Sequence, residues 1–201
     1  MYLLTETTSP FALERWAAFF ANFGQFAKGF FYTLGISIGA LIVALLLGLI
    51  FGAMSSTHNK VLRGISRVYV EIFQNTPLLV QFVVVFYGIS ILTDGHVMIP
   101  ISLTAILCVG VYTGAYISEI IRTGIEAVPK GQTEAALSQG FTYADTMRII
   151  ILPQAVRTIL PPLTNQVVNL IKNTSTVAII SGADIMFTAK AWAYDTTNYV
   201  P

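Results

Sequence analysis

The sequence predicts an all-α polytopic membrane protein, and three observations predict it. Over half of the 201 residues are hydrophobic and only a tenth are charged, where a soluble domain carries about a quarter. Charge-free runs reach membrane length, the clearest covering residues 29–57. Lys and Arg gather in connections that fall on one side, Lys60, Arg63 and Arg67 in one and Arg122, Lys130, Arg148 and Arg157 in another, the asymmetry of cytoplasmic loops. The length suits one domain, and a net charge of +1 leaves no nucleic-acid footprint. The single Cys108 cannot form an internal disulfide and reads as a small buried hydrophobe.

Taken in order, residues 1–28 are an N-terminal interfacial or extracellular segment. Residues 1–10 are a polar lead without the positive start of a cleavable signal peptide. Phe11, Trp16, Phe19, Phe20, Phe23 and Phe26 then recur at helical spacing. Such a helix lies in the membrane interface or packs on neighbouring spans. The first span is placed at about residues 29–54; about 20 residues cross the ~30 Å hydrocarbon core. Its Gly35/Gly39 and Gly48/Gly52 pairs permit close helix approach.

Residues 58–67 read as a cationic inner loop and residues 68–92 as a second span, interrupted early by Pro77. A helical proline frees the carbonyl four residues back and kinks the axis. Gln74, Asn75 and Thr76 set hydrogen-bonding side chains beside that kink, which either borders a cavity or is an interfacial end. The loop holding Asp94 and His96 has no Lys or Arg and suits the outer side. His96 has no cluster of ligands around it, so no metal site is expected. The third span is placed at about residues 98–120, with Gly110 and Gly114 four apart. Glu119 and Arg122 can pair at its inner end.

Residues 122–153 form a charged inner loop containing two short helical patterns, 132–139 and 143–150, joined at Gly140. Such a loop lies on the bilayer or docks into a partner. The fourth span, about residues 155–181, carries Asn165, Gln166, Asn169, Lys172, Asn173 and Thr176. A central lysine costs ~2.5–3.5 kcal/mol on insertion scales, so this face should point into the bundle or a wet cavity. Residues 182–201 look polar and flexible and fall outside, which puts both ends of the chain on the outer side. No internal repeat, nucleotide-binding motif or acid/base constellation is visible. A gradient-driven carrier or passive channel is open at this level, although no span carries in its interior the Asp or Glu that proton coupling would favour, Glu71 and Glu119 lying at span ends.

From Glu134-Ala135-Ala136, through Gly140 four residues later, to Leu152-Pro153, with VNLIKNTS downstream and EIFQNTP upstream, the chain resembles the permease subunits of bacterial ATP-binding-cassette importers for polar amino acids. These are the type I, MetI-like family with an EAA motif. Gln74-Asn75 stands where that family usually has Arg-Gly, and Phe141 follows Gly140 where Met or Leu is common.

The resemblance implies a transmembrane type-1 domain over residues 29–201, about four spans present and a fifth missing at the C-terminus. It implies that Lys130, Gln132, Glu134, Ala135, Ala136 and Gly140 couple the permease to a cytoplasmic ATPase dimer, which would hold the ATP and magnesium. It also implies a second permease subunit, identical or related, and an extracellular or periplasmic substrate-binding protein. Candidate contacts for the solute, glutamine-like or glutamate, arginine, histidine or cystine, are Asn75, Thr76, Pro77, Asn165, Gln166, Asn169, Lys172, Asn173 and Thr176.

Overall fold

The computed structural model describes residues 12–196. The polar lead and the last five residues of the expected tail lie outside the described residues. All regular structure among the described residues is helical. In chain order the elements are α1 (Leu13–Ala21), α2 (Phe23–Ser55), α3 (Lys60–Asn75), α4 (Leu78–Val83), a π-helical turn (Val84–Gly88), α5 (Ile89–Leu92), α6 (Ile101–Glu126), α7 (Lys130–Ser138), α8 (Tyr143–Asp145), a second π-helical stretch (Thr146–Ile151), α9 (Leu152–Asn173), a 3₁₀ stretch (Thr174–Ile180) and α10 (Ile185–Thr196).

The packing centre is the seam between α2 and α6. Helix α2 is apolar all round and is sorted by size. Phe31, Leu34, Ile38, Ile42, Leu46 and Leu49 stand exposed on one stripe. Ser37, Ala40, Ala44, Gly48 and Gly52 are buried on the other. Where lipid is as apolar as the side chains, close packing rather than burial drives association, so small residues belong in the seam. A Cβ on Gly110 would lie 2.7 Å from Val43 and one on Gly52 2.8 Å from Ile121. Gly35, by contrast, meets open space. Cys108 is buried in the cluster that Ala40, Ala44, Val109 and Ile117 form with Phe82, Leu170 and Val177, as its apolar surroundings predict.

Several expectations are corrected. The cationic connection is helical from Lys60, where Asn59 caps α3 by accepting from the Val61 amide at 2.9 Å. The expected second span is two helical pieces meeting at 97° across Thr76–Pro77, not one kinked helix. The aromatic segment runs straight into the first long helix, which begins at Phe23. The second short pattern of the charged loop is no separate helix: residues 143–173 run on helically through α8, the π-helical stretch and α9, and Pro153 follows directly on the π-helical register change, which accommodates its missing amide.

Residues 185–196 are helix α10 rather than a flexible tail, packed on α2 with Trp192 buried against Phe19 and Phe26. Among the described residues two helices are long and apolar enough to cross a membrane, three if the bent pair is one span. Helix α9 is not among them, since its polar residues lower its hydropathy below that of a simple span.

Candidate functional site

Helix α7 is a short helix with sharp ends. Gly140 at its end adopts φ +86°, which glycine reaches without strain. The Phe141 amide donates to the Ala136 carbonyl at 3.2 Å and the Gly140 amide to Leu137 at 3.0 Å, a Schellman closure. The chain restarts at Thr142, whose hydroxyl accepts from the Asp145 amide at 3.2 Å. These local devices fold α7 back against the π-helical stretch.

Ala136 is the buried residue of α7, whereas Lys130, Gln132, Glu134, Ala135 and Gly140 are exposed. Gln154 donates to Gln132 at 3.4 Å, tying the start of α7 to α9. The six sequence-predicted coupling residues therefore lie together on one loop, one facing inward and five outward. Leu137 and Phe141 are also exposed, giving the loop an apolar edge that the charged residues alone did not indicate. Gly124, buried at the end of α6, has no room for a Cβ beside Ile159. That close contact anchors the loop to the bundle on both sides.

The helix break is the second feature. Pro77 has no amide to offer the Phe73 carbonyl. Gln81, buried one turn beyond the break, donates through Nε2 to the Phe73 carbonyl at 3.2 Å and the Thr76 carbonyl at 3.1 Å. Gln81 is missed by sequence reasoning; its signal is a polar residue one turn after a helix-breaking proline. Asn75 and Thr76 turn back on their own helix, donating to the Glu71 carbonyl at 2.8 Å and the Ile72 carbonyl at 2.7 Å. Gln74 donates to the Ala115 carbonyl at 3.2 Å and pins the end of α3 to the middle of α6.

The polar residues of α9 do not point into the chain's own bundle, as the sequence suggests. Asn165, Asn169 and Lys172 are exposed, and Gln166, Asn173 and Thr176 half-buried. Helix α9 buries Leu170 instead, in one cluster with Leu78 and Phe82 from beyond the break. So the structure brings the break and the end of α9 together through apolar contacts. Asn75, Pro77, Asn165, Asn169 and Lys172 remain at the surface of the single chain. Among the described residues no group of His, Cys, Asp or Glu could hold a metal ion.

Fold and site together define a helical membrane protein with a broken span and an exposed, self-closed loop. The family described as the binding-protein-dependent transport system inner membrane component matches residues 44–200, and the chain belongs to that family. It is 41% identical over 173 residues to the probable glutamine ABC transporter permease protein GlnM of Bacillus subtilis, covering 85% of this chain and 77% of that relative. It is 35% identical over 187 residues to the glutamate/aspartate import permease protein GltJ of Escherichia coli K12, covering 84% and 76%.

Among solved structures, an amino acid ABC transporter crystallised with histidines superposes with a TM-score of 0.83 at 33% identity, covering 91% of this chain and 84% of that one. The methionine transporter MetNI in an inward-facing form gives 0.70 at 17% identity over 89% and 86%, a likeness of fold. The chain is thus a type I, MetI-like permease subunit of the bacterial inner membrane. The family decides for binding-protein-dependent transport over a gradient-driven carrier.

Proposed function

We propose that the chain is the membrane-spanning half of an ATP-driven importer for a polar amino acid, glutamine-like or glutamate-like in side chain. It works with a separate cytoplasmic ATPase dimer that holds the ATP and magnesium, a second permease subunit, and a substrate-binding protein on the outer face. The observation that carries the coupling is α7. It is closed at Gly140, braced by Ala136 and Gln132, and presents Glu134 and Ala135 outward. A helix held rigidly at the end of two longer ones transmits a push instead of absorbing it. Lys60, Arg63, Arg67, Arg122 and Lys130 come together around one cleft, which supports a cytoplasmic position.

Closure of two ATPases on ATP would draw two such loops together and swing α6 and α9 as rigid bodies, alternating access around a fixed site. The solute would meet residues around Asn75–Pro77 and the exposed polar face of α9, which supplies both donors and acceptors for a zwitterion. That face is unpartnered in one chain, which supports a second permease subunit across from it. Reconstituted with its ATPase and binding protein, the Glu134→Lys variant should lose ATP-dependent uptake and stimulated ATPase activity while unfolding at the parent temperature. Uptake at the parent rate would remove α7 from the coupling path.

A further inference from the structure

A cleft of about 1070 Å³ lies between α3 and α6, and none of the residues assigned above to solute contact lines its walls. Helix α3 has three faces. Ser66 and Tyr69 are buried, donating to the Phe51 carbonyl at 2.8 Å and the Val111 carbonyl at 2.7 Å. Val61, Ile65, Val68 and Ile72 form an exposed apolar stripe. Lys60, Arg63, Arg67, Glu71 and Gln74 line the cleft. Helix α6 supplies the facing wall with Ser118, Glu119, Arg122 and Glu126, and Lys130 of α7 joins the lining.

The charges do not cancel. Arg122 is taken up by Glu119, through Nε at 2.9 Å, and by Glu126 at 2.5 Å. Arg67 pairs with Glu71 at 3.5 Å. Lys60, Arg63 and Lys130 make no ion pair among the described residues. Deeper in the wall the Ser118 hydroxyl is buried, with no hydrogen-bond partner. The cleft therefore offers spare cations and a spare hydroxyl, with Gln74, its amide donor held by the Ala115 carbonyl, next to the helix break. Its polar wall lies roughly 130° round α3 from the apolar stripe, at 100° per residue, so it opens away from the lipid-facing side.

We propose that this cleft holds the carboxylate of a neutral or acidic amino acid on the α7 side of the membrane, and that its surplus positive charge disfavours solutes with cationic side chains. The proposal rests on the importer reading and adds a second, charge-selective station on the way from the helix break to the cytoplasm. Lys130 ties occupancy to α7, since this lining residue is the first of that helix.

The test uses the permease assembled with its ATPase in proteoliposomes. Cys108 is the chain's single cysteine and is buried. Gly64 lines the cleft, and a Cβ there meets nothing within 4 Å. Gly64→Cys thus places one reactive thiol in the site. After correction for reaction with free cysteine, an anionic methanethiosulfonate should label it about tenfold faster than a cationic one. Glutamine and glutamate should slow that labelling and arginine should not. Adding Arg63→Gln should remove both effects.

Equal labelling rates, or no protection by either amino acid, overturns the proposal. Protection by inorganic phosphate alone, or labelling that follows phosphatidylglycerol content and ignores amino acids, gives the cleft to a phosphate group and overturns it too. ATP-driven uptake is measured in parallel with the binding protein present. Uptake without protection sinks the cleft alone, and absence of uptake by the unsubstituted chain sinks the importer reading.

Discussion

Helices α2 and α9 are both of membrane length, yet they sort their residues by different rules. Helix α2 turns its large apolar residues outward and its small ones inward, and α6 fills the seam within the same chain. Helix α9 buries only Ala155 and Leu170 as its own core and leaves Asn165, Asn169 and Lys172 exposed. The first helix is completed by its own chain. The second has a face that only a partner, a solute or water can satisfy. The packed seam and the unsatisfied polar face are accordingly housed in different places.

That separation can be attacked directly. Gly48→Leu puts a branched side chain where Ile117 already stands, and should cost at least about 3 kcal/mol and leave little folded protein. Gly35→Leu, on the same helix but facing open space, should change the unfolding temperature in detergent by no more than about 0.5 kcal/mol's worth. Similar losses from both would show that α2 is not sorted by size. At the break, Gln81→Leu leaves the Phe73 and Thr76 carbonyls unpaired and should cost about 1–3 kcal/mol. Denaturant or thermal melts measure it.

A smaller effect is expected at Asp184, the buried cap of α10, which accepts from the Phe187 amide at 2.8 Å. Burial raises its carboxyl above the ordinary carboxylate value, against the backbone amides that lower it. A carboxyl raised on folding stabilises the folded state while protonated. That contribution is full below the ordinary value and lost as pH rises through the raised one. Asp184→Asn keeps a capping oxygen, should shift stability by under about 1 kcal/mol, and should flatten that pH dependence. The smallest stability effect belongs to α9: Asn169→Ala and Lys172→Ala should melt within about 0.5 kcal/mol of the parent while uptake and substrate-stimulated ATPase fall. Unchanged transport would return the polar face to a structural role.

Much of this was legible in single residues. Pro77 announced the break because a missing amide is a local fact, and Gly140 announced the turn because few other residues reach its backbone angles. The short helical pattern before Gly140 is found as α7, which carries Lys130 to Ala136 of the candidate coupling residues, with Gly140 just past its end. The angle at Pro77 was not legible. A proline frees a carbonyl but does not set 97°; Gln81, Gln74 and the packing of Leu78 and Phe82 do that together. Residues 182–201 looked like tail because few are strongly apolar. Helix α10 persists through Trp192 and its packing on α2, which depends on residues about 160 positions away in sequence.

By itself the sequence determined the helical membrane class, the positions of the two chain breaks and the short helix closed at Gly140, since hydropathy, backbone angle and short-range spacing are properties of neighbours along the chain. Only the tertiary structure decided which glycines sit in the seam, which way the polar face of α9 looks, and that α3 and α6 enclose a charged cleft. Those depend on which helix comes to lie alongside, and in an apolar solvent that choice is made by the fit of one surface to another.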